Sequence, residues 1–237
     1  MSEWKLKRFW SDVATQPEAD GFAVALDGRI VKTPAKATLV LPNETLAAHV
    51  ADEWRAVEVE IKPEAMPFTR SANAALDKVA VQHEEVAGLI AAYAETDLLC
   101  YRADSPVELQ KRQAEAWDAP LAWVRDTHGL HLEVATGVMP VSQSEASLQK
   151  AQALSMGMSA FALTAFHDLV SLSGSFVLGL MAAQNCDTPE NLWNISRIDE
   201  NWQQELWGVD DEAAEMAALK KAQFEHAYAF YQASVLS

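Results

Sequence analysis

Apolar and polar positions alternate most clearly near the start of the chain. In "GFAVALDGRIVKTP" (21–34), Phe22, Val24 and Leu26 alternate with smaller residues, the period-two pattern of a strand with one buried face. Asp27-Gly28 supplies the positive φ angles of a two-residue hairpin turn, which gives Gly28 a structural role. Pro34 stops the return strand, and "TLVL" (38–41) before Pro42 predicts a third short strand. Asn43 is placed to cap a helix that carries Leu46, Val50 and Trp54 on one face. Two prolines predict an extended run for "IKPEAMPF" (61–68). From Thr69 to Tyr93 the pattern predicts one long alanine-rich helix, with Leu76, Val79, His83, Val86 and Ile90 as its buried stripe.

"SPVE" (105–108) has the form of a capping box with Pro106 at the first helical position. The helix it opens runs past Trp117 towards Trp123, with a bend or break expected near Pro120. "LHLEVATG" (130–137) fits a brief strand or an extended connector. Beyond Ser142 the pattern is helical. Gly157 and Gly174 punctuate apolar segments, and Thr188-Pro189 opens a helix that Gly208 ends. Asp210 or Asp211 starts the last helix, which carries Phe224, Tyr228 and Tyr231. The expected fold is α+β: a small β-containing N-terminal domain (1–68), then a mostly helical bundle domain (69–237).

Half of the 237 residues are hydrophobic, enough for a sizeable core, and eight tryptophans imply wide apolar contacts in cores or at a binding surface. The net charge of −16 repels polyphosphate, so nucleic-acid binding is not expected; the surplus acid fits a solvated, soluble surface or the steering of a basic partner. Cys100 and Cys186 lie far apart without a CxxC pair, which argues against a disulfide framework and for a reducing compartment. "MSEWKLKRFW" has too short an apolar run for a secretory signal. The most apolar stretch, 159–183, is interrupted by His167, Asp168 and Gly174, so buried helices are expected and membrane insertion is not.

Candidate chemistry is sparse. Cysteine catalysis needs a thiolate, and Cys100 sits among leucines and a tyrosine, which favours a buried structural thiol. His128 and His131 in "HGLH" have no completing ligand set, and "HEEV" at 83 lacks the second histidine of a zinc-peptidase helix. No phosphate-binding glycine loop occurs, and the small residues of "SGSFVLG" suit close helix packing. His167 and Asp168 are adjacent on a helix, so their side chains are expected to diverge. No catalytic residues, metal site or cofactor are expected.

The C-terminal third carries a different signal. Residues 187–225 hold ten acids against three bases. Helical spacing places Glu200, Gln203 and Trp207 on one stripe, and Asp199, Trp202 and Gln203 on an overlapping face. Carboxylate, amide and indole together suit a protein-binding surface, where an aromatic anchors and an acid selects. The alternative is a helix with Trp207 buried and a solvated acidic face.

Four segments, in order, resemble the assembly chaperones that handle the α subunit of the F-type ATP synthase catalytic sector in mitochondria and α-proteobacteria. "GRIVKTPAKATLVLP" is similar to that family's hairpin signature and "ADEWRA" to its EW helix. "TDLLCYR" followed by "AWDAPLAW" is similar to its central signature, and "DENWQQELWG" to its C-terminal DExxQxxxWG. The resemblance implies an α+β domain followed by an orthogonal helical bundle. It also implies a non-enzymatic chaperone, working without cofactor, that holds the unassembled α subunit until the β subunit replaces it. It directs the important C-terminal acid to Asp199 or Glu200, with Gln203, Trp207 and the additional Trp202 beside it. Trp54, Asp97 and Gly28 are expected to be structural. A monomeric free state and a bacterial cytoplasmic location follow as expectations, or the mitochondrial matrix for a processed organellar form. The rival classes are a general holdase and a Cys100-dependent hydrolase.

Overall fold

In a computed structural model, which describes residues 7–137 and 139–236, the N-terminal part forms a four-stranded antiparallel sheet. Its strands are β1 (Val13–Glu18), β2 (Gly21–Leu26), β3 (Arg29–Ile30) and β4 (Val40–Leu41). β1 pairs along the whole of β2, while β3 and β4 share its other edge, with Ala25 opposite Ile30 and Phe22 opposite Leu41. Asp27 and Gly28 have φ of 47° and 76°, the geometry that their sequence predicts. The Asp27 carboxylate accepts the N–H groups of Asp12 and Ser11 at 2.8 and 3.0 Å, and these bonds hold its pKa below the ordinary value. β1 escapes the sequence pattern because it buries Val13 alone and contains Pro17, which an edge strand tolerates. In β2, Ala23 to Leu26 are all buried, so the strand is covered on both faces rather than on alternate residues.

α1 (Glu44–Ala56) starts as predicted: Asn43 Oδ1 accepts the Leu46 N–H at 2.8 Å. Leu46 and Val50 are buried, and half-buried Trp54 sets its ring edge-to-face with Trp10, centroids 5.2 Å apart. Trp54→Arg is expected to lose this packing, at about 2 kcal/mol, and to melt roughly 5 °C lower. A soluble variant with unchanged melting would contradict a packing role.

The run 61–68 is not extended. Pro63 opens a 3₁₀ turn (Pro63–Ala65) and Pro67 opens α2 (Pro67–Ala74), because a first-turn position needs no proline N–H. Met66 offers α2 no cap, so Glu53 supplies one from α1. Its carboxylate accepts the N–H groups of Phe68 and Thr69 at 2.6 and 2.8 Å and the Thr69 hydroxyl at 2.7 Å. Burial nevertheless pushes its pKa up.

Nor is 69–93 one helix. α2 passes into a π turn (Ala75–Val79), where Ala80 N–H bonds the Ala75 carbonyl at 2.8 Å. The chain then turns and resumes as α3 (His83–Ala91). Val79 and Ile90 are buried, but Leu76, His83 and Val86 are half-buried, and Ala72, Ala75, Ala87 and Ala91 fill the interior instead.

Two two-residue strands, β5 (Tyr101–Arg102) and β6 (Ala135–Thr136), pair in parallel, so the 130–137 segment is a connector with a brief strand. The next helix, α4 (Val107–His128), has Pro106 at its cap position. Ser105 therefore lies outside the helix and its hydroxyl bonds Asp104 at 3.3 Å, which replaces the expected capping box. α4 runs unbroken through Pro120: the wholly buried Trp117 and Val124 on the same face outweigh the one lost bond.

The remaining helices are α5 (Glu145–Met156), α6 (Ala160–Ser173), α7 (Phe176–Ala183), α8 (Pro189–Ile195), α9 (Ile198–Trp207) and α10 (Asp211–Val235). The segment opened by Thr188 is thus two helices, parted at Ser196–Arg197, where Ser196 Oγ bonds the Trp193 carbonyl at 2.7 Å. A Cβ on Gly179 would lie 2.5 Å from Val170 Cγ2, so α6 and α7 approach at van der Waals distance, as small residues allow. Among the described residues, no helix is long and apolar enough to cross a membrane.

The described residues of Met1–His83, Ser159–Thr164 and Ala229–Ser237 form one compact unit, and those of Glu84–Met158 and Ala165–Tyr228 another. The first extends beyond a division at residue 68, because Glu53 caps α2 and Asp77 accepts the Ala35 N–H at 3.0 Å. Its core lies between sheet and α1 (Val24, Leu41, Leu46, Val50), and that of the second surrounds Trp117, Phe166 and Phe176.

Candidate partner-binding surface

Within the second compact unit, α4 presents Leu109, Gln113, Trp117, Pro120 and Val124 on its buried face. Gln113 is the polar member of that stripe. Its Oε1 accepts the Ala103 N–H at 2.8 Å and its Nε2 donates to Asp199 Oδ1 at 2.7 Å. One turn on, Trp117 Nε1 donates to the Ile195 carbonyl at 2.9 Å, at the end of α8. Arg112 sits 4.7 Å over the Trp202 ring and donates to Glu205 at 2.8 Å. Asp199, Trp202 and Glu205, spaced by three, therefore face α4.

Glu200, Gln203 and Trp207 occupy a different face. All three are exposed, and Trp207 keeps 79% of its surface in solvent. The alternative of a buried Trp207 is thereby overturned. Glu200 pairs with Arg197 at 2.9 Å, and Arg197 in turn lies 4.8 Å over the Trp193 ring. Gly208, at φ 88°, ends α9 directly after Trp207. Asp210 then caps α10 by accepting the N–H groups of Glu212 and Ala213 at 2.9 and 3.1 Å.

Sequence reasoning missed Gln113, Arg112 and Trp117, whose partners lie 78 to 93 residues away. The available signal was a glutamine four residues before a tryptophan on an otherwise apolar helix face. Gln113→Ala is expected to cost about 2 kcal/mol, because it leaves the Ala103 N–H and Asp199 without their bonds. Urea unfolding measures it, and a loss below roughly 0.5 kcal/mol contradicts the role given to Gln113.

Cys100 is wholly buried, and burial pushes its thiol up to about 12, so the thiolate that a hydrolase needs is not available at neutral pH. Asp97, also wholly buried, accepts the N–H groups of Leu99 and Val177 at 3.0 and 3.1 Å and the Ser175 hydroxyl at 3.0 Å. It thereby ties the "TDLLCYR" segment to the start of α7. His167 and Asp168 do meet, contrary to expectation, with Nδ1 and Oδ1 2.9 Å apart on the surface of α6. The bond raises the imidazole pKa, but a half-exposed pair contributes little. Among the described residues, no group of three histidine, cysteine or carboxylate side chains is placed to hold a metal ion.

A family model for the ATP12 chaperone protein matches residues 7–125, half of the chain. The chain belongs to the ATP12 chaperone family. Solved ATP12 relatives extend the likeness over nearly all of it. The Atp12 of Paracoccus denitrificans is 44% identical, with a TM-score of 0.95 over 98% of this chain and 100% of that one. An aspartate-to-lysine mutant of the Paracoccus protein is 43% identical, with a TM-score of 0.96 over the same shares. The mitochondrial protein atp12 of Schizosaccharomyces pombe is 24% identical over 222 residues, covering 89% of this chain and 76% of its own length. The α+β fold is that of the solved ATP12 structures, and the resemblance to ATP synthase assembly chaperones seen in the four signatures stands.

Proposed function

We propose that this ATP12-family chaperone binds the unassembled α subunit of the ATP synthase catalytic sector and covers the surface that α later gives to β. The observation that carries this reading is the exposure of Trp207, 79% of it in solvent, on a helix whose other tryptophan is packed down. A large aromatic left in water beside an amide and a carboxylate has the makeup of an interface anchor. In this reading Trp207, Gln203 and Glu200 face the client. Asp199 and Trp202 act from behind, fixing α9 through Gln113 and Arg112.

Binding of this kind needs no catalysis and no cofactor. Release needs competition alone, since a β subunit that covers more hot spots on α displaces a chaperone that covers fewer. The protein works as a monomer in the bacterial cytoplasm, or in the mitochondrial matrix in an organellar form; the Paracoccus relative is bacterial and the Schizosaccharomyces pombe relative mitochondrial. Co-purification with isolated α and β subunits, offered separately, tests the reading. Selective capture of α is expected. Capture of β, or of α, β and unrelated unfolded proteins alike, rejects it, the last in favour of a general holdase.

A further inference from the structure

The hairpin signature at 28–43 inverts the charge of the chain that carries it. It holds three bases, Arg29, Lys32 and Lys36, and no acid, whereas the whole sequence has a net charge of −16. Bases elsewhere commonly stand beside an acid, as in Arg55–Asp52, Arg102–Asp118 and Lys221–Glu190. Arg29 is answered in part by the nearby Asp27 carboxylate. Lys32 and Lys36 are exposed and form no ion pair among the described residues.

The tip of the hairpin is held in place by its own bonds. Lys32 bridges to Thr38, Thr33 N–H donates to the Ala37 carbonyl at 2.9 Å, and the Thr33 hydroxyl accepts the Ala37 N–H at 3.2 Å. Lys36 N–H closes the turn on the Thr33 carbonyl at 2.8 Å. Asp77 Oδ2 accepts the Ala35 N–H at 3.0 Å and so seats the tip on the π turn. This brings Lys78 alongside, also exposed and without an ion pair among the described residues. Asp77 Oδ1 is buried without a partner, so the acid nearest the tip answers neither Lys36 nor Lys78. Lys36 itself sits at φ 71°, a left-handed conformation that glycine adopts freely and lysine seldom does. A strained residue at an exposed tip points to a use for its side chain.

Resting on the chaperone reading, we propose that Lys32, Lys36 and Lys78 form a docking surface for an acidic segment of the client, rich in aspartate or glutamate. The exposed residues between and beside them, Pro34, Ala35, Ala37 and Thr38, are short, so a partner chain reaches the ammonium groups unobstructed. The chain as a whole repels an extended anionic surface such as a nucleic acid or a charged membrane. A short acidic segment meets only the local charge, because charges beyond roughly 8 Å are screened at physiological ionic strength. The same net charge disfavours a second copy of this chain as the occupant.

The probe is a fluorescently labelled peptide of glutamate in a glycine-serine frame, with a counterpart carrying glutamine for glutamate, titrated against the full chain by anisotropy. The glutamate peptide is expected to bind at least about tenfold more tightly, and to weaken severalfold as salt is raised. The double variant Lys32→Glu, Lys36→Glu should weaken it by about tenfold or more. Lys62→Glu with Lys150→Glu, at exposed lysines outside the hairpin, should weaken it by less than about twofold. The two pairs change the net charge equally, so a site and a long-range field give different results. Lys36→Gly should keep or raise the urea midpoint and still weaken binding about threefold. It stands in for Lys36→Glu should the double variant melt early. Equal binding of the two peptides, equal effects of the two lysine pairs, or a Lys36→Gly variant that binds like wild type overturns the proposal. So does tighter, hairpin-dependent binding to vesicles of phosphatidylserine and phosphatidylcholine, or a self-association in sedimentation that the hairpin double variant abolishes. If α is not captured but the glutamate peptide binds as described, the α assignment fails and the hairpin surface stands. If α is captured equally by wild type and the hairpin double variant, the surface fails and the client stands.

Discussion

Replacing Asp97 by alanine is expected to remove about 3–5 kcal/mol of stability, a large share of what a domain of this size possesses. The carboxylate is wholly buried and serves as acceptor for two backbone N–H groups and a hydroxyl from separate segments. Alanine leaves those donors facing a dry cavity. The effect should appear in urea unfolding as a lower midpoint, and in expression as insoluble protein. The same group gives a pH signature. Burial, opposed by the hydrogen bonds, raises its pKa from 3.8 to about 6. Between those values the folded chain holds the proton more often than the unfolded chain does. The contribution of Asp97 is therefore complete below about pH 4 and is lost as pH rises through about 6, by up to about 3 kcal/mol. Asp97→Asn lacks this slope, so the difference between Asn variant and wild type should move in favour of the variant across that window and stay flat above it. A difference that moves the other way, or does not change, contradicts the burial-dominated environment.

Trp207→Ala should have the opposite profile. Its side chain is 79% exposed and stands on the last turn of α9, so unfolding free energy should stay within about 0.5 kcal/mol of wild type. Affinity for the α subunit should fall by about 2 kcal/mol or more, roughly thirtyfold, as for a central interface aromatic. Trp117→Ala, at a wholly buried position, is the control: it should destabilise by about 3–5 kcal/mol. If Trp207→Ala binds α like wild type, α9 is not the anchor.

Much of this was legible in the residues because it is local. Asp27-Gly28 dictates a turn, Asn43 and Thr188 cap the helices that follow them, and Gly208 ends α9. Glu200, Gln203 and Trp207 share a face because helical geometry leaves no other choice. What escaped depends on distant partners. Pro67 begins a helix because Glu53 caps it from α1, and Pro120 stays helical because Trp117 and Val124 are packed. The same holds for the two acids of the C-terminal motif. Sequence leaves Asp199 and Glu200 equivalent; Gln113, 86 residues upstream, turns the first inwards and leaves the second outside. Single-sequence patterns carry faces and caps, and they carry no information about which element a face meets.

The central claim is that the chaperone occupies the surface of α that β will take. Titrating purified β subunit into a preformed complex of this chain with α, and following free chaperone by size-exclusion chromatography, tests it directly. The expected result is release of the chaperone in step with formation of the α–β pair, with no complex containing all three. A stable ternary complex, or α that remains with the chaperone at saturating β, would contradict the account.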